Sequence, residues 1–135
     1  MQHVAAATPL NARVVTIIDL TREDRRLQLE PWTSRVIRCG EIHELITTDE
    51  TSSRNSSVVD KVAYLAFVEF THGGVIFVGD VLRHGDSAFG YIRGFDYTHM
   101  PNHMNIVVQV SERATGAELC WRLGDRMEFV RSEHG

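Results

Sequence analysis

The feature that most constrains the fold is the even spacing of breaks between Gly73 and Gly94. In VIFVGDVLRHGDSAFGYIRGF, the pairs Gly79-Asp80 and Gly85-Asp86 and the single residues Gly90 and Gly94 recur at nearly regular intervals. The runs between them are too short for helices, and their β-branched and aromatic residues suit a pleated, half-buried surface. Very short strands at regular spacing are the rhythm of a small closed or partly open antiparallel β-barrel. The flanking segments agree. VVTIIDL (14–20), RRLQLE (25–30) and RVIRCGEIHELI (35–46) read as strands before this region, and NIVVQV (105–110) and GDRMEFV (124–130) follow it. In VVDKVAYLAFVEF (58–70), Val62, Leu65, Ala66 and Glu69 could mark a helical face, but the β-branched and aromatic content and the THGG turn favour a strand entering a hairpin. The prediction is all-β, with a single barrel domain over 1–135.

At 135 residues and 43% hydrophobic content the chain is long enough to bury one core. Its 14 basic and 18 acidic residues give a net charge of -4 with no long block of one sign. No electrostatic footprint for a nucleic-acid backbone is present, so nucleic acid is not an expected partner. Lys61 is the only lysine, a bias that reads as coding composition rather than as anion recognition. No run approaches a membrane span and the first residues do not make a secretory signal, so a cytoplasmic location without a membrane partner is expected. Cys39 and Cys120 show no metal or redox spacing and are expected to be small buried thiols. Residues 1–12 are expected to form a flexible N-terminus. TTDETSSRNSS (47–57) has no apolar residue and is expected to be an exposed, mobile loop.

Chemistry concentrates in GYIRGFDYTHMPNHMNIVVQV (90–110), where Asp96, His99, Asn102, His103 and Asn105 fall within ten residues between two apolar runs. Pro101 disfavours helix at Met100, so the segment is a turn whose polar groups are held by local geometry. The acidic segment GEIHELITTDE (40–50) is its expected partner. On a strand, Glu41, His43 and Leu45 share one face while Ile42, Glu44 and Ile46 share the other. Glu44 then points with two isoleucines. A carboxylate there either has a raised pKa suited to a general base or a counter-ion, or is bonded at a barrel rim to backbone N–H groups or an arginine. Asp49 and Glu50 are solvated, unless the loop carries them over a site.

Three readings stay open for the histidines. His43, His99 and His103 with Glu44 or Asp96 could assemble a zinc or iron site across strands, although Pro101 spoils the helical spacing of His99 and His103. The two loop histidines could instead bond neighbouring carbonyls, or contact an organic ligand directly. His3, His72, His84 and His134 are expected to be solvated. No nucleophile elbow is present, and Cys39 has no helix N-terminus to activate it. The aromatic residues, Trp32 among them, are expected mostly in the core, with Tyr91 and Tyr97 allowed into a pocket.

Three resemblances bear on this reading. GVIFVGDVL, AFGYIRGFD, NIVVQV and RLGDRMEFV resemble the β-barrel domain that follows the nucleotide-binding domain in translational GTPases, which implies a barrel over the last half of the chain. No P-loop is present, so no GTPase role is implied. GEIHELITTDE, GGVIFVGD and GFDYTHMPNHMNI are similar to a family of small bacterial proteins of undefined function, which implies no activity. The chain is also associated with ring-closing enzymes that make aziridine-containing azabicycles by sulfate loss from an amino-acid-derived substrate. That association implies a reaction class and carries over no site residue.

The leading expectation is a cofactor-independent enzyme of specialised metabolism. Glu44, His43 and Asp49 would supply acid/base catalysis, and Asp96, His99, Asn102, His103, Asn105 and Tyr91 would bind a small amine-bearing substrate at the barrel mouth. Ring closure or elimination is the reaction type, with a homo-oligomer or partner subunit completing the site. The alternatives are a non-catalytic binding or assembly module, and a metal-dependent barrel enzyme using His43, His99 and His103.

Overall fold

The computed structural model describes residues 4–51 and 57–132, and within them every regular element is a strand. In chain order these are β1 (Leu10–Arg22), β2 (Leu27–Gln28), β3 (Ser34–Ile37), β4 (Ile42–Thr48), β5 (Val58–Val59) and β6 (Val62–Phe70). They continue as β7 (Gly74–Phe77), β8 (Val81–His84), β9 (Ser87–Asp96), β10 (Asn105–Gln109) and β11 (Arg126–Val130). Seven of them close a barrel in the order β1, β11, β8, β9, β10, β4, β6, while β2 pairs with β5 and β3 with β7 outside it. The expected closed barrel is therefore present. Its neighbours are not all antiparallel, however, because β10 runs parallel to β4. The even Gly-Asp spacing has its counterpart in the β8–β9 hairpin, where Gly85 adopts φ +59, a conformation open mainly to glycine.

Strand alternation sorts the core into two layers. Leu10, Leu45, Leu65, Phe70, Phe95, Ile106 and Phe129 meet inside the barrel. Leu27, Ile46, Val59, Val62, Tyr64 and Val107 form a second cluster. In β4, Leu45 lies in the first and its neighbour Ile46 in the second, so the wall made by β9, β10, β4 and β6 is covered outside by the β2–β5 ribbon. Burial on both faces explains why these strands read as continuous apolar runs. Leu29 bridges to Asp96, and it packs so closely that a Cβ on Gly94 would lie 3.1 Å from it. Glycine at this position lets the ribbon settle on the wall.

Several boundaries differ from expectation. β1 begins at Leu10, and Leu10 and Ala12 are core residues rather than part of a flexible N-terminus. Thr47 and Thr48, expected in an exposed loop, are buried in β4. Their hydroxyls donate to the carbonyls of Ala63 and Lys61, which satisfies them in a place that polarity alone would put in solvent. The rest of that expected loop falls in part on residues 52–56, outside the described ones. The run 35–46 is two strands parted by a turn at Gly40, where φ is +92. Cys39 and Cys120 are exposed and free rather than buried, since both sit in turns.

Candidate functional site

Register builds the site. Glu44 lies beside Asn105 in the parallel β4–β10 pair and opposite Phe67 on β6, while Asn105 lies opposite Asp96 on β9. Asp96, Asn105, Glu44 and Phe67 thus form one row across four strands. Glu44 is in phase with Ile46, as the alternation of the sequence implies, and so faces outward. The row lies on the outer face of the wall, under the edge of the ribbon, at the end where β9 stops and β10 begins. Only 7% of Glu44 is exposed. Burial pushes its carboxyl up to about 7, against the opposing pull of the Arg25 guanidinium.

The turn after β9 brings two histidines over this row. Met100 N–H donates to the Tyr97 carbonyl at 3.0 Å and Asn102 N–H to the His99 carbonyl at 2.8 Å, around a cis Met100–Pro101 bond. The His99 and His103 rings consequently sit 5.0 Å apart, and His103 packs edge-on against Phe67 at 4.9 Å. His103 Nε2 lies 3.5 Å from a Glu44 carboxylate oxygen. The Asn102 amide nitrogen is 2.7 Å from Nδ1, and with that nitrogen donating, the ring proton resides on Nε2, facing Glu44. Burial, with His99 and His43 nearby, holds the His103 pKa below the ordinary value, while the Asn105 side chain, close enough to attract the ring proton but outside hydrogen-bond geometry, pulls the other way. The ring is therefore neutral where Glu44 changes charge.

Two buried atoms in this group have no hydrogen-bond partner: His103 Nε2 and Asn105 Oδ1. The identity of the Asn105 oxygen is secure on chemical grounds. Its amide nitrogen donates to Asp96 Oδ1 at 3.0 Å, so its carbonyl oxygen must point away from that carboxylate. Leaving such a buried acceptor unmet costs about 1–3 kcal/mol, so it favours any donor that reaches it.

Arg25 and Tyr64 complete the group, and sequence reasoning passed over both. Arg25 Nε donates to the Tyr64 hydroxyl at 2.7 Å, and its Nη2 lies 3.2 Å from His99 Nε2. Backbone pairing of Arg25 N–H with the Asp60 carbonyl fixes its place beside the ribbon. No local signal marks either residue, since an arginine before a short strand and a tyrosine within an apolar one are ordinary.

Other expected site residues go elsewhere. His43 faces the interior with Leu45; its Nδ1 accepts the Met104 N–H at 2.9 Å and its Nε2 lies 2.7 Å from Glu41. Both ring nitrogens are thus committed, and the trio His43, His99 and His103 does not converge. Among the described residues no three His, Cys, Asp or Glu side chains are grouped to hold a metal ion. Asp96 adjoins the site but is saturated by Gln28 N–H, Thr98 N–H, the Thr98 hydroxyl and Asn105. Asp49 lies past the far end of β4 and accepts the Arg113 N–H, while Glu50 accepts those of Asp60 and Lys61. Tyr91 is half-exposed midway along β9, five residues from Asp96, and Tyr97 packs against the inner core.

The remaining histidines and aromatics also depart from expectation in places. Trp32 is half-exposed, outside the core. His72 accepts the Asn11 N–H, and His84 pairs with Asp125 at 2.7 Å while stacking on Trp121, so neither is simply solvated. His3 and His134 lie outside the described residues.

The outer-wall group can therefore exchange a proton near neutral pH, offer unmet acceptors to a donor, and present a guanidinium at one side. Among the described residues no helix is long and apolar enough to cross a membrane. No curated protein and no solved structure matches the chain. A family model described as a family of unknown function (DUF6917) matches residues 4–130, and the chain belongs to that family.

Proposed function

We propose that this protein is a small-molecule enzyme that uses Glu44 as general base, with the His103 Nε2–H facing its carboxylate as a donor that steadies the charged form and Asn102 orienting the His103 ring. The observation that carries this reading is a buried carboxylate poised near pH 7 with a neutral, oriented imidazole 3.5 Å away. A base is most effective when its pKa lies near the working pH, and burial brings Glu44 there. Glu44 and Asn105 Oδ1 offer acceptors to an N–H donor, which suits an amine-bearing substrate. Ring closure is the reaction class proposed. Glu44 takes a proton from the substrate ammonium, the freed nitrogen forms a C–N bond, and the C–O bond to a sulfate breaks with sulfate leaving with the bonding pair. The two exposed free cysteines support a cytoplasmic setting for this chemistry.

The test uses 2-aminoethyl hydrogen sulfate as probe, with release of inorganic sulfate and formation of aziridine followed by NMR. Wild type should release sulfate faster than buffer, and Glu44→Gln should return the rate to the buffer level with the fold intact. Equal rates for wild type and buffer, or an unaffected Glu44→Gln variant, would refute the reading.

A further inference from the structure

We infer that Arg25, with His99, forms an anion subsite beside Glu44 and Asn105, so that the ligand of this wall is a zwitterion with its N–H end on Glu44 and Asn105 and its anionic end on Arg25. The inference rests on the proposed use of Glu44 for an amine and adds the second half of the recognised molecule.

Arg25 is held by neutral groups. Its Nε is fixed by the Tyr64 hydroxyl at 2.7 Å and its Nη2 is set against the His99 ring at 3.2 Å. Among the described residues it forms no ion pair with a carboxylate, and its side-chain bonds go to the Tyr64 hydroxyl and the His99 ring. A partly buried guanidinium oriented by neutral partners keeps N–H donors and an uncompensated charge for a bidentate anion. It lies near enough to Glu44 to act on its charge. Yet among the described residues no ion pair joins the two, so the guanidinium keeps N–H donors for another anion.

The opposite end has the complementary deficit. Asn105 is fully buried, its Oδ1 lacks a donor, and strand register sets it directly beside Glu44. One end of the group is thus short of donors and the other short of an anion. A lone amine would leave Arg25 unmatched, and a lone anion would leave Asn105 Oδ1 unmatched. A molecule bearing both, an amino acid or an amino sulfate ester, satisfies the two together.

Calorimetric titration of the full chain with 4-aminobutyrate, n-butylamine and butyrate tests this, alongside 2-aminoethyl hydrogen sulfate to separate a sulfate from a carboxylate as the anion. The expected result is that at least one zwitterion binds tenfold or more tightly than butylamine and butyrate. Arg25→Gln should reduce that zwitterion to the level of butylamine, and Arg25→Lys should restore part of the preference, with circular dichroism showing both variants folded. Equal binding of zwitterion and butylamine, no binding by either zwitterion, or a preference that survives Arg25→Gln would each overturn the inference. Should 4-aminobutyrate bind in an Arg25-dependent way while 2-aminoethyl hydrogen sulfate is never turned over, the subsite stands and ring closure falls.

Discussion

Replacing Glu44 by glutamine should stabilise the protein at neutral pH, and the size of the gain should depend on pH. Burial carries the Glu44 carboxyl from an ordinary 4.5 to about 7 in the fold. The folded state therefore holds this proton more tightly than the unfolded chain does. The sign follows: the charge costs nothing below the unfolded value, the cost grows as pH rises between 4.5 and about 7, and it is complete above that. A rise of this size corresponds to about 3 kcal/mol. Glutamine keeps the shape and lacks the charge. Its advantage over wild type should thus be near zero at about pH 4 and reach about 3 kcal/mol at about pH 8, with most of the change between. Urea unfolding followed by tryptophan fluorescence reads this as a midpoint that moves up by about 1–2 M at the alkaline end. Groups that titrate alike in both proteins cancel in the difference. A difference that is flat with pH, or that favours wild type at alkaline pH, would refute a desolvated Glu44, and with it the physical basis for its use as a base.

Three further outcomes follow from the packing. His43→Leu removes the acceptor of the buried Met104 N–H and should cost about 1–3 kcal/mol in urea unfolding, as a structural lesion of the inner wall. Burial also holds the His43 pKa below the ordinary value, so its contribution is lost as pH falls, and wild type and variant should converge in stability under acid. Asp96→Ala strips the acceptor from two backbone N–H groups, the Thr98 hydroxyl and the Asn105 amide; thermal melting should show a loss of about 3 kcal/mol or more, and a variant as stable as wild type would contradict the bonding described. Gly116→Ala would place a Cβ 2.1 Å from the Leu65 carbonyl oxygen, a backbone atom that cannot step aside. A loss of about 3 kcal/mol, or failure to accumulate folded protein, is expected on expression and melting.

Much of this protein is legible in its residues one segment at a time. Regular glycine and aspartate breaks between β-branched runs can only make short strands, and period-two alternation sets Glu44 on the face of Ile42 and Ile46 wherever β4 ends up. Pro101 and its polar neighbours make a turn by local geometry, which is why His99, Asn102 and His103 could be grouped before any fold was known. Those signals act within a few residues, so the sequence alone determines them.

What the sequence could not reveal is whatever depends on which strand lies beside which. The parallel pairing of β10 with β4 sets Asn105 next to Glu44 and draws the turn histidines over that carboxylate. The same closure sends His43 inward and leaves Asp49 beyond the opposite end of its strand. The buried threonines at the end of β4 have the polarity of a loop, and only a carbonyl supplied from elsewhere in the fold makes their burial tolerable. Arg25 and Tyr64 join the site because a short ribbon folds back on the outside of the barrel, and no pattern within either segment encodes that contact. Local sequence thus decides which residues share a face. Tertiary structure decides which faces meet, because strand order, closure and burial are set by the energy of the whole core, and burial is what turns Glu44 from a surface carboxylate into a group that titrates near pH 7.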